Sequence, residues 1–402
     1  MSLNDTPSGE RIHIGFFGRR NAGKSSLVNR VTDQELAVVS DTKGTTTDPV
    51  TKAMELLPLG PVVIIDTPGF DDVGDLGAKR ISKTRLILNR VDVAVLVVDI
   101  TEGIGDCEKL LISLFDEKKI PYIIAYNKAD LMQKIPSVRD NEIYVSSITG
   151  SNISELKEMI ARSGSVKKDV APLISDLIDP GDTVILVIPI DSSAPKGRII
   201  LPQQQVLREI LDCNAKAMCV QHTELDSALS GLKGKAALVV TDSQVFGKIA
   251  PIVPADVRLT SFSILMARHK GFLSTAVRGA AALDRLKDGD TVLISEGCTH
   301  HRQCEDIGTV KLPAWIRQYT GKQLRFETTS GLSFADDLSR YSMIVHCGAC
   351  MLNDREVLYR MASAEEIGIP MTNYGTAIAH MHGILARSLE VFPGLYEEFV
   401  NG

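Results

Sequence analysis

Residues 11–27 read RIHIGFFGRRNAGKSSL. A short apolar run leads into Gly18-Arg-Arg-Asn-Ala-Gly23-Lys24-Ser25, and a helix-like stretch follows. The spacing is G-x-x-x-x-G-K-S at a strand-to-helix turn, the setting in which this pattern cradles phosphate. The glycines let backbone N–H groups wrap the anion, and the helix N-terminus adds its positive dipole. Lys24 is expected to reach the β and γ phosphates, and Ser25 to ligate magnesium. Gly18, Asn21, Ala22, Gly23 and Ser26 complete the candidate loop. A chance glycine-rich turn is the competing reading, and three further elements that follow in order argue against it.

DTPG at Asp66–Gly69 ends the next strong apolar run. Asp66 can hold magnesium through water, and Gly69 can offer its N–H to the γ phosphate. NKAD at Asn127–Asp130 ends a later run, with Lys128 inside it. A carboxylate at Asp130 accepts two hydrogen bonds from guanine N1–H and its exocyclic amine, a pair of donors that adenine lacks. Ser146 and Ser147 in VSSITG sit where a base-supporting loop belongs. Thr45 and Thr46 in TKGTTTD are candidates for a switch threonine that completes the magnesium shell. This ordered set resembles the translation-factor-like GTPases, and more narrowly the TrmE/Era-like group of tRNA-modification and ribosome-assembly GTPases. The resemblance implies GTP/GDP and Mg2+ as ligands, with Lys24, Thr46, Asp66 and Gly69 in catalysis.

Two details bear on rate. Phe70 stands where Ras-like enzymes place a water-orienting glutamine, which implies slow intrinsic hydrolysis. Asn21 lies where similar GTPases use an asparagine to bind K+, a cation able to act on transition-state charge. The bland reading of Asn21 is a residue that tolerates a tight turn.

At the other end, VHCGAC places His346 before Cys347 and Cys350 in C-x-x-C spacing. SEGCTHH supplies Cys298 and His300 as C-x-H, also after a strand-like run. Two strand ends of one parallel sheet share an edge, so the clusters can converge. Gly348 is expected to provide the turn that brings both sulfurs to one point. Three thiolates with a replaceable fourth ligand suit an iron-sulfur cluster. A zinc site of three Cys and one His is equally available to the chemistry.

GTPase motifs, a middle α/β region and C-x-H…H-C-x-x-C, in that order, resemble the maturation GTPases of iron-iron hydrogenases, the maturase F family. HCGACMLNDREV and PMTNYGTAIAHMHGIL carry the likeness at the C-terminal end. The resemblance implies a 4Fe-4S cluster on Cys298, Cys347 and Cys350. Its labile fourth ligand would be His300 first and His346 second, with Glu296, Glu305 and Asp306 as carboxylate alternatives. It further implies a cytoplasmic homodimer that carries a two-iron subcluster precursor bearing carbon monoxide, cyanide and a dithiolate bridge. The recipient is apo iron-iron hydrogenase, and two radical-SAM maturases are partners.

The remaining composition agrees with a globular protein. The chain has 402 residues, 44% hydrophobic and 23% charged, with a formal net charge of −6. Its length suggests two or three domains. From Met266 on, 14 Lys and Arg face 16 Asp and Glu, so no basic nucleic-acid tail is expected. No run reaches the roughly 18 apolar residues of a membrane span, and no signal core opens the chain. Seven cysteines, an odd number, argue against a disulfide framework. Cys213 and Cys219 read as core packing, Cys107 as incidental, and His301 and Cys304 as neighbours. His380 and His382 are two apart on a helix-like run and make a poor chelating pair. The expected architecture is α/β in three domains: a doubly wound P-loop GTPase domain at 1–168, a dimerisation domain at 169–262 and a cluster domain at 263–402. The alternative function is an RNA-linked GTPase with a structural zinc. A third is a metal store or sensor that uses GTP as a signal.

Overall fold

The computed structural model describes residues 6–34, 50–69, 83–134, 136–137, 139–164, 171–190, 199–297, 307–331, 333–335 and 337–401. The chain divides into two compact units, Met1–Lys168 and Asp169–Gly402.

The first unit is built on a six-stranded sheet of order β2-β3-β1-β4-β5-β6. Its strands are β1 (Ile12–Phe17), β2 (Val50–Leu56), β3 (Gly60–Asp66), β4 (Val93–Asp99), β5 (Tyr122–Asn127) and β6 (Glu142–Tyr144). All pairings are parallel except β2 with β3. The apolar runs of β1, β3 and β4 are continuous because both faces are covered. Ile14, Phe16, Val62, Ile64, Val93, Val95 and Val97 join one core. Phe17, Val63, Ile65, Ala94, Leu96 and Val98 join the other. β2 has no such run, since most of VTKAMEL faces solvent. An exposed edge strand of this kind carries no apolar run to announce it. The sheet carries β1 between β3 and β4, so successive connections leave β1 in opposite directions. A crevice at the carboxyl end of β1 follows from that switch.

The second unit holds two parallel four-stranded sheets. One has the order β10-β9-β7-β8, from β7 (Thr183–Val187), β8 (Lys216–Val220), β9 (Leu238–Thr241) and β10 (Arg258–Ser261). The other has the order β12-β11-β13-β14, from β11 (Thr291–Glu296), β12 (Arg325–Ser330), β13 (Met343–His346) and β14 (Met371–Asn373). One apolar core runs from Leu173 to Phe392 across both sheets, and a second, with Val292, Ile294, Leu312, Ile316, Met343 and Val345, covers the other face of β11 and β13. The helix Phe262–His269 is central to the first, with Ile264, Leu265, Met266 and Ala267 all buried. TAIAHMHGILARSLEVF forms Tyr374–Met381 and Leu385–Leu389, separated at Gly383, whose φ of 69° ends the first piece. Cys219 is not a core residue: it is exposed on edge strand β8, whereas Cys213 packs partly against the core. Among the described residues no helix is long and apolar enough to cross a membrane.

Candidate functional sites: a nucleotide edge and a cysteine turn

The first site lies along the carboxyl edge of the six-stranded sheet. Gly18 follows β1 with φ 143°, and a Cβ there would stand 2.2 Å from the Val97 carbonyl oxygen. Gly23 has φ 84°, and a Cβ would stand 2.3 Å from Asn127 Nδ2. Both positions therefore require glycine, for close approach as well as for φ. Asn21 also adopts a left-handed φ of 62° and is exposed. Lys24 opens the helix Lys24–Thr32. Lys24 is buried, and its Nζ donates to the Arg19 carbonyl across the loop at 2.6 Å. Ala22 is buried, and its carbonyl accepts from Asn127 Nδ2 at 3.0 Å. Ser26 is half-buried on the same helix turn.

Ser25 Oγ donates to Asp66 Oδ2 at 2.9 Å, so these two expected magnesium ligands are already together. Asp66 Oδ1 is buried and has no hydrogen-bond partner among the described residues. Burial raises the Asp66 carboxyl, and the Ser25 hydrogen bond and Lys24 charge partly oppose that rise. A buried, half-satisfied carboxylate beside a hydroxyl is a donor set that fits a hard divalent cation. Gly69 packs on the loop, because a Cβ there would stand 2.9 Å from Arg20 Cα. Thr45, Thr46 and Phe70 lie outside the described residues.

The elements expected to read the base converge on the ends of β5 and β6. Asn127 is wholly buried and ties three segments together: Nδ2 holds the phosphate loop, and Oδ1 accepts from Ser147 N at 3.1 Å. Ser146 Oγ donates to Asp130 Oδ1 at 2.5 Å and accepts from Thr149 N at 3.1 Å. Lys128, at φ 67°, forms a short ion pair with Asp99 at the end of β4. Burial pushes Asp99 up, but hydrogen bonds from Lys128 and Thr101 outweigh it and leave the carboxyl below its usual range.

The second site begins where β11 and β13 end side by side, with Ser295 opposite His346. Cys347 N donates to Ser295 O at 2.9 Å. Cys347 Sγ accepts from Gly297 N at 3.0 Å and from Ala349 N at 3.4 Å. The left-handed residue of the turn is Ala349, with φ 56°, rather than Gly348. Both cysteines are half-buried. Desolvation raises the Cys347 thiol to about 11, against a downward pull from the Gly297 and Ala349 N–H groups. Desolvation also raises Cys350, which the Lys270 charge opposes. Two thiols that already accept or face donors at a strand edge fit a thiophilic metal, whose binding displaces their protons. Cys298, His300, His301, Cys304, Glu305 and Asp306 lie outside the described residues. Among the described residues no three metal-binding side chains meet.

His346 is fully buried with both ring nitrogens engaged. Its Nε2 lies 3.2 Å from Arg360 Nη1. Arginine only donates, so Nε2 is the acceptor, and Nδ1 carries the proton given to Cys347 O at 2.8 Å. Burial, then the Arg360 charge, lower the His346 pKa to about 3, while the Cys347 carbonyl bond acts the other way. The lone pair a metal would need is therefore occupied. Arg360 is itself wholly buried, bonded to Glu356 Oε1 at 2.9 Å and Gly331 O at 2.9 Å. Neither Arg360 nor Lys270 was singled out by sequence. Glu296 is buried, 3.3 Å from Tyr374 Oη. His380 Nε2 pairs with Asp284 Oδ2 at 2.9 Å.

Comparison with known proteins matches three successive stretches of the chain. Residues 13–128 match the 50S ribosome-binding GTPase model. Residues 173–271 match the hydrogen maturase F dimerization domain, and residues 274–391 its tetramerization domain. The tRNA modification GTPase MnmE of Nitrosomonas europaea is 30% identical over 167 residues, 40% of this chain and 37% of that protein. GTPase Der of Nautilia profundicola is 32% identical over 167 residues, 38% of this chain and 36% of that protein. This chain thus spans little more than a third of the length of these curated relatives. The solved structure of Era with MgGDPNP and nucleotides 1506–1542 of 16S ribosomal RNA is 18% identical. It covers 52% of this chain and 93% of that one at a TM-score of 0.35, too loose a likeness to bear on function. The two maturase F models together span more than half of the chain and directly follow the GTPase match. With a phosphate-loop domain first and two parallel-sheet domains after it, the chain belongs to the hydrogen maturase F family.

Proposed function

We propose that this protein binds and hydrolyses GTP and serves as a self-associating scaffold that carries a two-iron subcluster precursor to apo iron-iron hydrogenase. The observation that carries the reading is one chain with two strand-edge sites: a phosphate loop with a half-satisfied Asp66, and a C-x-x-C turn within a maturase F domain. The division into 1–168, 169–262 and 263–402 belongs to the same proposal.

In the nucleotide site Lys24 contacts the β and γ phosphates, and Ser25 with Asp66 holds Mg2+. Thr46, with Thr45 beside it, completes that shell, and the Gly69 N–H faces the γ phosphate. Asp130 selects guanine, braced by Ser146, while Asn127 couples the base loop to the phosphate loop and Lys128 backs the base. In the second unit Cys298, Cys347 and Cys350 hold a 4Fe-4S cluster. Bound there, it supplies an iron with an exchangeable ligand position. The hydrogen bond from Arg360 to His346 Nε2 supports a fourth ligand from His300 or a carboxylate, Glu296, Glu305 or Asp306, rather than His346.

The testing experiment adds the anaerobically reconstituted chain, the two radical-SAM maturases and GTP to apo-hydrogenase and measures hydrogen evolution. Activation that needs this chain is expected. Activity unchanged without it removes the carrier role. RNA binding at physiological salt, with stoichiometric zinc, would instead select the RNA-linked reading. Asn21 is proposed to bind K+. GTP turnover is then expected to be faster in potassium than in sodium at equal ionic strength, and equal rates return Asn21 to its role as a turn residue.

A further inference from the structure

We infer that Lys270 is a positioning residue of the cysteine site: a buried cation that holds the far side of the C-x-x-C turn and sets the reduction potential of the cluster bound there. The inference rests on the proposed cluster. Lys270 caps the helix Phe262–His269 and is only 5% exposed. Its Nζ donates to Leu352 O at 2.9 Å, two residues beyond Cys350, and lies 3.3 Å from Asp354 Oδ1. Those contacts span 82 and 84 residues of sequence.

A second buried cation, Arg360, holds the near side through His346, and the contrast between the two is informative. Arg360 is offset by Glu356, whose side chain is 7% exposed and 2.9 Å away. The carboxylate beside Lys270 is Asp354, at 3.3 Å and with its side chain 24% exposed, so solvent weakens its screening of the buried ammonium. The Lys270 ammonium therefore stands beside the C-x-x-C turn with a counter-charge closer to solvent than that of Arg360. A cluster held by three thiolates is negative and gains further negative charge on reduction. A nearby buried cation stabilises the reduced form and raises the potential.

The test is a redox titration, followed by EPR, of the reconstituted chain and its variants, with iron and sulfide measured on each. Lys270→Met is expected to lower the midpoint potential, and Lys270→Arg to restore it. Asp354→Asn, which keeps Lys270 and removes its counter-charge, is expected to raise it. A mere tie between helices would change cluster loading or thermal stability without moving the potential. Wild-type potentials in both Lys270→Met and Asp354→Asn overturn the inference. If Lys270→Met holds no cluster, Asp354→Asn decides by itself. A wild-type chain that takes up no cluster removes the cluster reading, and this inference with it.

Discussion

Lys24→Ala is expected to cut GTP turnover by at least about 10²–10³-fold, the scale of losing one donor aimed at developing charge. The side chain is buried at the start of the helix Lys24–Thr32 and spans the phosphate loop to the Arg19 carbonyl. Its charge also opposes the rise in the Asp66 carboxyl. Alanine is a strong helix former, so the helix start is kept while the cation and its hydrogen bond to the Arg19 carbonyl are lost. Phosphate release measures the first effect. Iron and sulfide per chain measure the second expectation, unchanged cluster loading, because the cysteine turn lies in the other compact unit. Loss of the cluster in this variant would argue against separable modules.

Cys347→Ala is the second large effect. Cluster affinity is expected to fall more than about 100-fold, beyond the loss typical of an outer-shell partner. Cys347 Sγ is the acceptor of the Gly297 and Ala349 N–H groups, so both the ligand and its hydrogen-bonded setting disappear. Iron, acid-labile sulfide and the reduced-cluster EPR signal should drop together, with GTP turnover retained. A variant that keeps the full signal would remove Cys347 from the ligand set. Stoichiometric zinc in the wild type, with no cluster uptake, would return the protein to the RNA-linked reading.

Much of the nucleotide edge was legible before any coordinates. Gly18–Ser25, Asp66–Gly69 and Asn127–Asp130 each end an apolar run, and a doubly wound sheet sends such ends to one edge. β2 was not legible, because an exposed antiparallel edge strand has no apolar run to announce it. The turn in VHCGAC was assigned to Gly348, yet tertiary packing places the left-handed residue at the buried Ala349. In sequence His346 reads as a candidate fourth ligand, second to His300. Only folding brings Arg360 to its Nε2 and consumes the lone pair.

The sequence by itself determined the local chemistry: phosphate loop, guanine reader, C-x-x-C and the alternation of strands and helices. These are short-range patterns, in which spacing dictates which groups share a turn or a strand end. The tertiary structure decided which buried polar groups face those patterns. Asn127 joins base loop to phosphate loop, Asp66 keeps one buried oxygen without a partner among the described residues, and Lys270 and Arg360 brace the two ends of the cysteine turn. The Asn127, Lys270 and Arg360 contacts link residues 14 to 105 positions apart, and each satisfies a buried charge or amide whose partner no local spacing specifies.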